Sequence, residues 1–220
     1  MIAKAPVPGE VKTRLGAQVG NHVAAGLAAS SLLDTLDVCE AVFRERHDRH
    51  IALAGDLDAA VRRDDLVERL AGWTLHRQRG HGFAHRLSGA HEDVARAAGA
   101  SVVQIGMDTP HLPPAELADV AGRVGRDNDA VLGPAEDGGW WVLASTHPRF
   151  ARALRAVRMS TERTYADTRA ALEAAGARIA DASVLRDVDT PHDADIVSTS
   201  APRTRFAQHW ARAVPTGAGG

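Results

Sequence analysis

The chain has 220 residues, enough to bury one sizeable core and short for two full domains. Its 26 Lys and Arg nearly balance 28 Asp and Glu, and a formal charge of −2 argues against a general binder of nucleic acid or anionic membrane. Cys39 is the only cysteine, which excludes an internal disulfide and makes a cytoplasmic location the simplest expectation.

Residues 1–5 read as a first strand, and they run into a basic loop, AKAPVPGEVKTRL. Pro6 and Pro8 fix φ, Gly9 lets backbone approach a ligand, and Lys12 and Arg14 supply charge. That combination suits a polyphosphate, and it also reads as a rigid surface turn with solvated cations. The uncharged stretch 15–33 holds Gln18, Asn21, His22, Ser30, Ser31 and three glycines, too much polarity for hydrocarbon, so it reads as a helix of a soluble protein. Lys4, Pro6 and Pro8 break any leader pattern, and no cleavable signal is expected. Asn21 is placed to cap a helix reaching about Phe43, with Val23, Leu27, Leu32, Leu33 and Leu36 near one face.

Residues 50–54, 101–106, 129–133 and 140–144 are further strands by their apolar runs, the middle ones apolar on both faces as in a covered parallel sheet. Helix patterns over 58–70, 87–98, 114–124 and 162–175 lie between them, with Pro114 suited to a first helical position. The alternation predicts an α/β fold, a three-layer sandwich around a mostly parallel central sheet. No repeat or internal linker divides it, so residues 1–214 are expected to form one domain, with 215–220 a disordered tail.

Open α/β sheets bind ligands beyond the carboxyl ends of their strands. In VVQIGMDTPHLP an apolar strand delivers Asp108 to such an end, and Pro110 stops the chain from continuing in the sheet. A carboxylate there can hold a hard divalent cation, or can cap a turn or helix instead. In LGPAEDGGWWVLA, Asp137, Gly138 and Gly139 make a tight turn between two apolar strands, a hairpin signal that also leaves room for a sugar or base. Trp140 and Trp141 point to opposite faces of an extended segment, so at most one faces a pocket and the other belongs to the core. Cys39 has no adjacent histidine and reads as a small buried hydrophobe. His81 and His85 are spaced i, i+4 but lack a third partner for zinc.

Together AKAPVPGEVKTRL, IGMDTP, GPAEDGGWW and the late DVDTPHDAD resemble a bacterial family described as glycosyltransferase-like or selenodomain-associated transferases. That family is similar in turn to the molybdenum-cofactor and 2-phospho-lactate guanylyltransferases, and the resemblance runs from Ala3 to about Ile196. It implies a GT-A-like fold and an enzyme, a nucleotidyltransferase moving NMP from an NTP to a small phosphorylated acceptor. A nucleotide-sugar glycosyltransferase and a nucleotide-binding protein without turnover are the alternatives. It further implies catalytic roles for Lys12, Arg14 and Asp108. Ala3, Lys4, Pro8, Gly9, Gly80, Arg86, Asp137, Gly138 and Gly139 are expected against the nucleotide. Mg2+ or Mn2+ is expected on Asp108, with Asp187 or Asp189 completing the site. The segment from Thr190 also reads as a helix start, Thr190 as cap and Pro191 at the first position. The chain departs from the family in a short first strand, in His85 where an acid is usual, and in Trp140 where tyrosine is common.

Overall fold

The structure, a computed structural model, describes residues 1–45 and 48–214; the expected tail 215–220 lies outside the described residues. Among the described residues, seven strands divide between two sheets. β1 (Ile2–Lys4), β2 (His50–Ala54) and β3 (Thr74–Arg77) are parallel in the order β1-β2-β3. β4 (Val102–Ile105), β5 (Ala130–Pro134), β6 (Trp140–Ser145) and β7 (Ile179–Asp181) are ordered β4-β6-β5-β7. There β6 runs antiparallel to both neighbours while β7 pairs parallel with β5. The expected central sheet is thus parallel in its first half and mixed in its second. The Lys4 N–H donates to Met107 Sδ at 3.4 Å, linking the end of β1 to the segment after β4.

Side-chain alternation explains the layers. Ala3, Ile51, Val131 and Val142 face one core with Leu32 and Leu36 of α2 (Asn21–Val42), Leu66 of α3 (Arg63–Leu70) and Leu117 of α5 (Pro114–Arg123). Their neighbours Ile2, Ala52, Leu132 and Leu143 face the other. There they meet Leu87 of α4 (Gly82–Ala98), Phe150 of α6 (Pro148–Ala153) and Leu172 of α7 (Thr164–Ala174). Each fully buried leucine contributes about 2 kcal/mol of transfer free energy, so a slip of one residue in any central strand would exchange the two faces at great cost. Cys39 is buried in the first core, and burial pushes its thiol up to about 11.

A third apolar cluster joins Leu15, at the start of the chain, to Val188, Phe206 and Trp210 at its end. Leu15 belongs to α1 (Thr13–Val19), and α8 (Pro191–Ser200) and α9 (Arg205–Ala213) supply the other side. Asp34 of α2 accepts the backbone N–H groups of Arg205 and Phe206, which caps α9 onto α2. Among the described residues no helix is long and apolar enough to cross a membrane.

Several boundaries differ from expectation. The helix read through 15–33 breaks at Gly20, whose φ of 89° only glycine adopts cheaply, so Asn21 opens α2 and makes no capping bond with its side chain. The helix read over 58–70 starts at Arg63, because Asp56 Oδ1 holds Asp58 N in a turn and Arg62 takes φ 57°. α4 begins earlier than expected, at Gly82. Pro114 does occupy the first turn of α5, and Thr190 with Asp193 forms a complete capping box on α8.

Candidate active site

Two adjoining cavities, about 420 and 660 Å3, open beyond the carboxyl ends of β1 and β4. They share Ile2, Arg14, Phe83, Gly106, Asp108 and Asp189, so together they make one cleft. A third cavity, about 270 Å3, lies at the amino ends of β1, β2 and β4, where this kind of sheet does not place its chemistry.

Where the two halves meet, the opening loop and the tip of β4 converge. Lys12 Nζ stands 2.5 Å from Asp108 Oδ1 and 3.3 Å from Asp189 Oδ1, and it also donates to the Val188 carbonyl. Its side chain is 6% exposed, against 42% for Asp108. Lys12 has left-handed backbone, φ 46°, a conformation that costs a non-glycine residue free energy and turns its side chain inward at the start of α1. Arg14, 80% exposed, reaches to 3.9 Å of Asp189 Oδ2. The Val188 N–H donates to the Asp108 carbonyl at 3.0 Å, which stitches the late aspartates to the end of β4.

Electrostatics follow from this packing. Burial alone would lower the Lys12 ammonium, but the charges of Asp108 and Asp189 outweigh it and its pKa ends above the ordinary value. Asp187 is pushed up to about 8, first by burial and then by the neighbouring Asp108 charge, with Lys12 opposing. Asp137 and Asp189 add to the upward push on Asp187, so three neighbouring carboxylates act on it.

The first half of the cleft carries Lys4, Lys12, Arg14 and Arg86. Among the described residues Arg86 has no ion-pair partner and its Nε is buried without a hydrogen bond, and its guanidinium lies 5.9 Å from the Phe83 ring. Gln78 donates both hydrogens of its amide, to Ala3 O at 2.7 Å and Ala52 O at 2.9 Å, so what it offers a ligand is its oxygen. Ala3 lines this half too. The second half holds Asp137, Gly139, Trp140, Asp187 and the loop from Met159 to Thr164. Trp140 is half-buried with its indole N–H on Thr168 Oγ1, whereas Trp141 is 2% exposed and donates to Ser183 O.

Of the residues singled out from the sequence, Lys12, Arg14, Asp108 and Asp189 meet at the centre. Ala3, Lys4, Arg86, Asp137, Gly139 and Asp187 line one half or the other. Pro8, Gly9, Gly80 and Gly138 do not line the cleft. Lys4 pairs with Glu10 at 3.3 Å, which holds the opening loop closed on itself. Gly138 has φ 87° and packs on the next loop, where an added Cβ would stand 2.2 Å from Glu162 O. Gln78 and Glu162 were not legible as site residues, because each enters the cleft through tertiary contacts alone, whereas Thr109 had a local signal in its place directly after Asp108.

For a metal ion, the chemistry of the donor set is suitable, since carboxylate oxygens are the ligands hard cations take. Among the described residues, however, no group of three acidic, His or Cys side chains is close enough to hold one. Magnesium commonly takes one or two carboxylates and completes its shell with water and substrate phosphates. Asp108 with one of the late aspartates fits that habit.

The mixed α/β architecture places the chain in the nucleotide-diphospho-sugar transferase fold, on its likeness to solved structures. The chain belongs to the family described as "Uncharacterized protein conserved in bacteria (DUF2064)", whose model matches residues 35–161. A protein of Desulfovibrio desulfuricans G20, provisionally named a nucleotide-diphospho-sugar transferase, is 25% identical with a TM-score of 0.75; the match covers 96% of this chain and 93% of that one. 4-Diphosphocytidyl-2C-methyl-D-erythritol synthase is 16% identical with a TM-score of 0.53, over 90% of this chain and 96% of its own, a likeness of fold. No curated protein matches. Because the family match spans 35–161, Lys12, Arg14, Asp187 and Asp189 enter the site on geometry rather than on that match.

Proposed function

We propose that the protein is a metal-assisted transferase acting on a nucleotide donor, and that it moves a nucleotidyl group from a nucleoside triphosphate. The observation that carries this reading is the convergence of Lys12 and Arg14 with Asp108 and Asp189 at the junction of the two halves. Donor phosphates would lie over Lys12 and Arg14, with Lys4 and Arg86 further along the same half. Asp108 with Asp187 or Asp189 would hold Mg2+ or Mn2+, which would supply positive charge to neutralise the donor phosphates. An acceptor oxygen then bonds to the α-phosphorus, the bond to the bridging oxygen breaks, and pyrophosphate leaves. A hydroxyl acceptor gives its proton to a cleft carboxylate. Lys12 and Arg14 stabilise charge on the leaving group, so positioning and electrostatics suffice and no covalent nucleophile is required.

A second reading, glycosyl transfer from a nucleotide sugar, is favoured by the name of the 25% identical Desulfovibrio protein. Four cations in the donor half favour the triphosphate, which has more charge to neutralise than a diphosphate sugar.

Thermal unfolding with NTPs and with UDP- and GDP-sugars, each with and without Mg2+ or Mn2+, separates the readings. A ligand at 100 times its Kd stabilises by about 2.7 kcal/mol if it binds only the folded state. Metal-dependent protection by an NTP, lost in Asp108→Asn, supports nucleotidyl transfer. Protection by nucleotide sugars alone shifts the reading to glycosyl transfer, and protection with no turnover of any donor reduces it to nucleotide binding. No protection by either class removes it.

A further inference from the structure

The two halves of the cleft carry opposite charge. Next to the cationic donor half, the 660 Å3 half is lined by Asp137, Glu162 and Asp187 beyond the shared Asp108 and Asp189, with Arg14 its only lining cation among the described residues. Asp108 and Asp189 are answered by Lys12 and Arg14. Asp137 and Glu162 have no ion-pair partner among the described residues, and the Asp137 oxygen that is engaged accepts a backbone N–H from Gly139 at 2.8 Å.

Their placement is fixed by the backbone. The Tyr165 N–H donates to Gly138 O at 2.8 Å, and Gly138 lies so close to Glu162 that no side chain fits between them. Ser160, in the same loop, takes left-handed backbone with φ 60°, a cost tolerated where the surroundings over-determine the conformation. The wall is apolar and aromatic, with Leu87, Met159 and the pinned ring of Trp140. Thr109, 1% exposed, lines this half as well, and its hydroxyl makes no hydrogen bond to any described residue. A hydroxyl that borders the cleft and has no partner among the described residues is available to a ligand that brings one.

From these observations we infer that the second half of the cleft receives a small acceptor carrying a cationic nitrogen beside its hydroxyl, an amino alcohol or amino sugar. The inference rests on the transferase reading above and names its acceptor class. Asp137 and Glu162 face the ammonium, Trp140 covers it with its ring, and Thr109 takes one hydroxyl. The ammonium has no lone pair, so the free hydroxyl is the group that attacks phosphorus. A phosphate monoester, the acceptor expected from the sequence, would enter the cleft against two uncompensated carboxylates, a like-charge juxtaposition that suppresses binding.

Titrations without nucleotide keep this test independent of the donor. The indole N–H resonance of Trp140 is followed by NMR while glucosamine, N-acetylglucosamine or glucose 6-phosphate is added. The expected result is a saturable shift with glucosamine, and affinity at least about tenfold weaker for the other two. Glu162→Gln and Asp137→Asn keep size and, at Asp137, the acceptor for Gly139 N–H; combined, they should weaken glucosamine about tenfold while Tm stays within about 2 °C of wild type. Absence of a saturable glucosamine shift, stronger binding of glucose 6-phosphate, or unchanged glucosamine affinity in the double variant overturns the inference. Failure of nucleotides to protect the wild type removes the donor reading alone, because no nucleotide enters these titrations.

Discussion

The ammonium of Lys12 and the carboxylate of Asp108 lie 2.5 Å apart, one on the loop after β1 and the other just past β4. Lys12 is buried while its partners are nearly half exposed, so the pair stabilises less than a fully buried one would. Lys12→Met should cost about 1 to 2 kcal/mol in urea unfolding at pH 7. The ammonium is held above its ordinary pKa, so its contribution is complete below the unfolded value, about 10.4, and is lost as pH rises through the folded one. The difference between wild type and variant should therefore narrow in strongly alkaline urea titrations.

His91 predicts the opposite slope. It is 1% exposed on α4, shares a 2.8 Å hydrogen bond with Ser145 Oγ, and burial lowers its imidazole to about 4. Unfolded, it takes a proton near pH 6.5, so between 6.5 and 4 the unfolded chain binds more protons and stability falls as pH falls. Above 6.5 both states are neutral and the term vanishes. The full loss is about 3 kcal/mol, and His91→Gln should flatten the decline measured by urea unfolding between pH 7.5 and 4.5.

Gly138→Ala should act through backbone. At φ 87°, with Glu162 O at 2.2 Å from an added Cβ, alanine forces the hairpin turn and the 158–163 loop apart. A loss of at least about 2 kcal/mol is expected, with faster proteolysis near Arg158 and Arg163. Gly176→Ala is the control: it has a similar φ, 82°, and open space around it, and should lose less.

Cys39 should be silent toward Ellman's reagent in the folded protein. It is 5% exposed and its thiol is held at about 11, so almost no thiolate exists at pH 8. Labelling should follow the rate of unfolding as urea is added.

Much of the architecture was legible because the central strands are largely apolar, with Gln104 an exception, and their helices carry clear periodicity. β3 was not: Thr74, Leu75 and Arg77 are exposed on an edge strand, which leaves no pattern to read. β7 is three residues long and escaped for the same reason. α9 is amphipathic but follows Pro202 and Arg203 near the chain end, where its partner face on α2 is visible only in three dimensions. At the site, charge type and strand position drew attention to Lys12, Arg14, Asp108 and the late aspartates. Local sequence could not assign the inward turn of Lys12, since left-handed backbone at a lysine is imposed by contacts far along the chain. Pro8 and Gly9 shape the loop without reaching the cleft, a distinction between stiffening and contact that composition does not make.

Leu15, three residues after Lys12, and Val188, between Asp187 and Asp189, are buried in one apolar plug with Phe206 and Trp210. Both charged arms of the cleft are thus moored to α9, none of whose residues lines either half. Sequence drift in Phe206 or Trp210 would loosen the mooring before it unravels either sheet, and its earliest symptom would be a slackened pairing of Lys12 with Asp189 in a protein that still purifies intact.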